Sequence, residues 1–141
     1  MKIDVFYDNI NYRIKGSRKI LKLIEKVIRK EKKKPDDLSF IITTDRELHK
    51  INKEFLGKER VTDVIAFDYS EKGKIRGEIY ISIETVKRNA LNYKVSLKDE
   101  IVRVLVHGTL HLCGYSDSNE EKKKKMSKLE DFWIKECNMK R

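Results

Sequence analysis

Two histidines, His107 and His111, stand four residues apart in HGTLHLCGYSD (107–117), with Gly114 three residues after the second and Asp117 three after that. On an α-helix, positions i and i+4 share a face one turn apart, so two imidazoles there can grip one cation. Gly114 suits the left-handed conformation that ends helices, after which the chain can swing Asp117 back over the ion. The spacing is that of the zinc motif H-E-x-x-H-x-x-G-x-x-H, with Gly108 in place of the glutamate and Asp117 in place of the third histidine. The first replacement removes the general base of a zinc metallopeptidase and makes that activity the weaker alternative. What is left is a cation with His107, His111 and Asp117 as ligands and an open position, the pattern of catalytic rather than structural zinc. Such an ion brings the pKa of bound water toward about 7 and neutralises phosphoryl charge. The expected chemistry is therefore metal-bound water attacking a phosphodiester or assisting the ribose 2′-hydroxyl to do so, with no side chain assigned as general base. One Zn2+ per chain is expected, and the carboxylate ligand also admits Mn2+ or Mg2+.

Other residues are weighed against blander roles. Glu100, seven residues before His107 on the same helical face, is a candidate acceptor for an imidazole N–H, the alternative being an ion pair. Cys113 lies about 200° around the helix from His111, which points to packing rather than ligation. His49 has no companion at metal spacing and reads as a surface residue. The runs Lys122 to Lys125 and Lys32 to Lys34 are either solvated faces or guides for a phosphate backbone. Trp133 falls on an apolar stripe and belongs to the core.

The elements that must position these groups follow from periodicity. IDVFYD alternates as a half-buried strand with Ile3, Val5 and Tyr7 on one side. Ser17 is placed to cap a helix with Ile20, Leu21, Ile24, Val27 and Ile28 on its apolar stripe, ended by EKKKP. LSFIITT reads as a buried strand. The capping-box pair Thr44 and Glu47 then opens a short helix through Leu48, Ile51 and Phe55. TDVIAFDY and GEIYIS form a hairpin around EKGKIRG. Helices follow from Ser82 and from Ser96, the latter carrying both histidines. Ser118 and Glu121 form another capping box before a last helix with Met126, Leu129, Trp133 and Cys137 on one stripe. The expected fold class is α+β: a single domain over residues 1–141, with a mixed sheet of about four strands covered by about five helices. The metal site sits on a C-terminal helix and the loop after it.

The chain has 141 residues, enough for one core without staples. Its two cysteines are too few for a disulfide framework, and no stretch has the run of apolar residues that a membrane span needs. A cytoplasmic protein with no membrane partner is expected. The formal net charge of +10, on a chain that is 40% charged, would attract a polyanionic partner such as nucleic acid, though a lysine-rich composition alone gives the same balance.

Taken together, HGTLHLCGYSD, TDVIAF and GEIYIS resemble the YbeY family of single-strand-directed endoribonucleases, and the similarity extends from LSFIITTDRELHKIN to the last helix. The resemblance implies an α+β fold, a bound zinc, single-stranded RNA as substrate, maturation of small-subunit ribosomal RNA near its 3′ end and a part in ribosome quality control. Ribosomal RNA and the small ribosomal subunit are the implied partners. By position, His107 and His111 match the family's first two metal ligands, and Asp117 stands at its third histidine. Ser116 replaces the family's aspartate, Leu56 an arginine associated with activity, Val61 a proline and Ala66 a serine. Lys58 and Arg60 are candidates for the missing phosphate contact, and Asp63, in the TDV match, is a candidate for orienting the site or binding substrate; each is otherwise a turn residue. The remaining alternative is a non-catalytic, ribosome-associated RNA-binding domain with a structural metal.

Overall fold

The computed structural model describes residues 2–56 and 64–139. Its elements run β1 (Ile3–Tyr7), α1 (Ser17–Lys30), β2 (Lys34–Thr43), α2 (Asp45–Ile51), β3 (Val64–Asp68), β4 (Lys74–Ser82), α3 (Ile83–Tyr93), α4 (Leu97–Leu112) and α5 (Glu120–Met139). Beyond α2 the chain continues as one π-helical turn, Asn52–Leu56. This is an α+β fold with a four-stranded mixed sheet in the order β1-β2-β4-β3. The first three of these strands are parallel, and β3 pairs antiparallel with β4, Val64 opposite Ile81 and Asp68 opposite Gly77. The hairpin closes at Lys72 and Gly73, whose φ of 51° and 77° match the left-handed pair that a two-residue turn of right-twisted strands demands.

Alternation in β2 and β4 drives one face of the sheet inward. Leu38, Phe40, Ile42, Ile75, Ile79 and Ile81 all lie in the core, where α1 contributes Ile20, Ile24, Val27 and Ile28. Helix α4 is buried nearly all round, as expected of a helix packed against β3, β4, α1, α3 and α5. Its position between the sheet and α5 fixes where the histidines lie. Among the described residues, no helix is long and apolar enough to cross a membrane.

Three local expectations shift by a residue or more. The residue capping α1 is Gly16, with φ 68° and no side-chain cap, and Ser17 is already helical. For α5, Asn119 rather than Ser118 accepts from the Lys122 N–H, at 2.8 Å. The segment EKKKP both ends α1 and starts β2. Pro35 lies opposite Ile75, and the register slips between Pro35 and Leu38, the irregularity at which a strand tolerates proline. The expected caps at Thr44, Ser82 and Ser96 are present.

The N-termini of α2 and α3 are tied together. Asp45 accepts from the Ser82 hydroxyl, from Thr85 Oγ1 at 2.6 Å and from Arg88 at 2.8 Å, while its own N–H donates to Glu84 at 2.8 Å. Burial alone would raise the Asp45 carboxyl, but these hydrogen bonds and the Arg88 charge outweigh it and hold the group below its ordinary value. A depressed folded-state value stabilises the fold above the unfolded carboxyl value near about 3.9, and that contribution is lost as pH falls through the lower folded value. Asp45→Asn is expected to cost about 1–3 kcal/mol at pH 7. In urea denaturation the gap between variant and wild type should close on acidification; a gap constant down to pH 2 would contradict this role.

Candidate metal centre

His107 and His111 emerge one turn apart from the C-terminal half of α4, each about 70% buried, so their rings stack edge to face with centroids 4.5 Å apart. The helix ends just beyond them in a Schellman turn. Gly114 N–H donates to the His111 carbonyl and Tyr115 N–H to that of Leu110, both at 3.0 Å, with Gly114 at φ 108°. A side chain at 114 would be strained in that conformation. The reversal brings Asp117 Oδ2 to 3.6 Å from His107 Nε2 and 3.8 Å from His111 Nε2, and the two Nε2 atoms lie 3.0 Å apart. One potential ligand atom from each of the three residues falls within 4.8 Å of the others.

The outer nitrogens decide what those inner atoms are. His111 Nδ1 lies 3.1 Å from the Tyr115 carbonyl, which can only accept, so Nδ1 carries the proton. His107 Nδ1 lies 2.7 Å from Glu130 Oε2, and a carboxylate likewise calls for N–H at that position. With that proton on Nδ1, the neutral form of each imidazole turns its Nε2 lone pair toward the other ring and the Asp117 oxygen. In that form three acceptors converge, and a cation placed among them turns their mutual repulsion into attraction. Tetrahedral zinc with Zn–N bonds of about 2.0–2.1 Å holds neighbouring donors about 3.3 Å apart, and the three observed separations straddle that value. The donor set fits a divalent ion.

Glu130, on α5, went unnoticed in the sequence reading. It is only 5% exposed, and its other oxygen accepts from Arg103 at 2.8 Å. Arg103 also pairs with Asp131. Burial works against the Arg103 charge, but the hydrogen bonds it donates to Asp131 and Glu130, with their negative charges, prevail and raise its pKa further. The chain of contacts Asp131, Arg103, Glu130, His107 orients the first imidazole from behind, the arrangement that fixes a ligand's tautomer and raises its basicity. A signal was available: residues 126, 130, 133 and 137 fall within one narrow arc of a helix, placing a glutamate in the middle of the apolar stripe.

The other candidates lie elsewhere. Glu100 is buried on α4, seven residues before His107 and so about 10 Å along the axis; the carboxylate that meets the imidazole is that of Glu130. Cys113 is half-buried; burial, aided by Glu31, pushes its thiol up to about 12, so it stays protonated and packs. Gly108 faces the sheet, where an added Cβ would come within 2.9 Å of Ile79 Cγ2. With Ile79 in place, a side chain at 108 would force the Ile79 side chain to shift, so glycine suits the close packing of α4 on β4. The Leu56 side chain, Lys58, Arg60, Val61, Thr62 and Asp63 lie outside the described residues.

The fold and the His107–His111–Asp117 cluster together define an α+β protein with a candidate three-ligand metal centre at the end of its central helix. A family model described as Endoribonuclease YbeY matches residues 6–138, and the chain belongs to the YbeY family. It is 38% identical over 130 residues to the Endoribonuclease YbeY of Flavobacterium psychrophilum, spanning 92% of this chain and 93% of that one. It is 44% identical over 108 residues to that of Karelsulcia muelleri, spanning 77% of each. A Thermotoga maritima protein solved in solution matches with a TM-score of 0.67 and 27% identity, covering 96% of this chain and 89% of that one.

Proposed function

We propose that this chain is a metal-dependent endoribonuclease of single-stranded RNA, one domain over residues 1–141, acting in the cytoplasm on ribosomal RNA. Its place is the maturation of small-subunit RNA near the 3′ end and the quality control of ribosomes, with the small subunit as partner. The observation that carries the chemistry is the convergence of two imidazole lone pairs and the Asp117 oxygen. The names of its relatives carry the substrate class. Two nitrogen donors favour Zn2+, with Mn2+ or Mg2+ as substitutes. When bound, such an ion supplies Lewis acidity toward a phosphoryl oxygen and acidifies water.

The protein's own part is positional. Glu130 and the Tyr115 carbonyl hold both imidazoles in the ligating tautomer, and Asp117 closes the third side. Gly108 brings no carboxylate to the centre, which sets the chemistry apart from that of a glutamate-assisted peptidase.

The test is to measure metal content on purified protein and to compare cleavage of single-stranded RNA and of casein, with and without chelator. RNA cleavage that chelation abolishes and zinc or manganese restores is expected. Tight RNA binding without cleavage under every metal would make this an RNA-binding domain with a structural ion, and casein cleavage would restore the peptidase.

A further inference from the structure

Along the loop that carries Asp117 of the candidate metal centre, a cleft of about 410 Å³ is lined by Glu31, Cys113, Gly114, Tyr115, Ser116, Lys122 and Lys125. We propose that this cleft is a subsite for the ribonucleotide next to the cleaved bond, with its phosphate held between Lys122 and Lys125. The inference rests on the RNA reading above and assigns that reading a second contact region.

Four observations support it. The volume lies within the range of small-ligand sites. Ser116, in the cleft wall, is bonded to Asp117 of the candidate metal cluster, their Cα atoms about 3.8 Å apart, so cleft and cluster share one loop. Lys122 and Lys125 are three apart on α5 and so share one face, directed at the loop: Lys125 Nζ stands 5.7 Å from the centre of the Tyr115 ring. Glu31, at the end of α1, leads directly into the second lysine run, so the fold brings together two basic clusters some ninety residues apart in the chain. Lys33 of that run is close enough for its charge to act on Cys113.

Glu31 sets the character of the cleft. Its Oε1 accepts from the Tyr115 hydroxyl at 2.8 Å, which pins the ring as a wall. The same carboxylate repels a phosphate, so it limits how deeply the backbone enters and keeps the anion near the lysines. Removing that charge while keeping an acceptor for Tyr115 should therefore tighten RNA binding, opposite in sign to removing the lysines.

The experiment measures binding of a short, fluorophore-labelled single-stranded RNA by anisotropy, in chelator so that no cleavage occurs, across a range of salt. Lys122→Gln/Lys125→Gln is compared with Lys123→Gln/Lys124→Gln, which removes the same charge from the opposite side of α5. Losing two phosphate contacts should lower the log–log salt slope by about 1.4 and weaken binding roughly 10- to 30-fold near 0.1 M salt. The control pair should change the slope by less than half as much, and Glu31→Gln should bind more tightly than wild type. If wild type binds and cleaves RNA but the two lysine pairs behave alike, the subsite is wrong and the ribonuclease reading stands. If wild type neither binds nor cleaves RNA, both fall.

Discussion

His111→Ala is expected to bind divalent metal more than 100-fold more weakly than wild type and to cleave RNA no faster than the metal-free protein. The magnitude follows from comparison: disturbing a residue behind a metal ligand already costs about 10- to 100-fold, and here the ligand itself is lost. The folded apoprotein should hardly notice. Alanine gives up the hydrogen bond to the Tyr115 carbonyl, worth about 1 kcal/mol, but relieves the contact of two lone pairs at 3.0 Å. Melting temperatures therefore discriminate well. At a metal concentration 100 times the dissociation constant, wild type should gain about 2.7 kcal/mol, and the variant almost nothing. Equal stabilisation of the two proteins by zinc would mean that the ion sits elsewhere.

Most of the architecture can be read in the chain because it rests on local signals. The alternation of β1, β2 and β4, the hairpin around Lys72 and Gly73, and the caps at Thr44, Ser82 and Ser96 each concern residues within a few positions of one another. The same is true of His107, His111, Gly114 and Asp117, which one helix and its terminal turn carry within a single short stretch of chain. Errors arise where two local choices are nearly equal. Ser17 and Gly16 compete for the start of α1, and Ser118 and Asn119 for that of α5; in each case the cap falls one residue away from the serine.

Glu130 and Arg103 are hidden for a different reason. Arg103 sits one turn before His107 on the same face, where it reads as the wet side of an amphipathic helix. Only the docking of α5 on α4 turns that face inward and supplies a carboxylate 23 residues downstream of the imidazole. The spacing of Gly108 exposes the missing catalytic glutamate, but not that Ile79 packs against this glycine from the sheet.

Glu130 offers the sharpest separation of folding from metal binding. Glu130→Ala removes a partner of the partly buried Arg103 and leaves the His107 Nδ1–H facing a cavity, and breaking a buried pair in this way costs about 3–5 kcal/mol. Arg103 keeps Asp131, so a loss near about 3 kcal/mol is expected. Glu130→Gln is nearly isosteric and should fold better, yet it faces two donors with one oxygen and one amide. Arginine cannot give up its proton, so the oxygen turns to Arg103 and the amide to His107. An amide donating to Nδ1 forces the imidazole proton onto Nε2, the atom that faces His111 and Asp117. Metal affinity should then fall about 10- to 100-fold while most of the stability survives. Nitrogen chemical shifts of the His107 ring would report the change of tautomer directly. Wild-type metal affinity in Glu130→Gln, or a ring still protonated at Nδ1, would show that the carboxylate serves Arg103 alone and that His107 needs no support from α5.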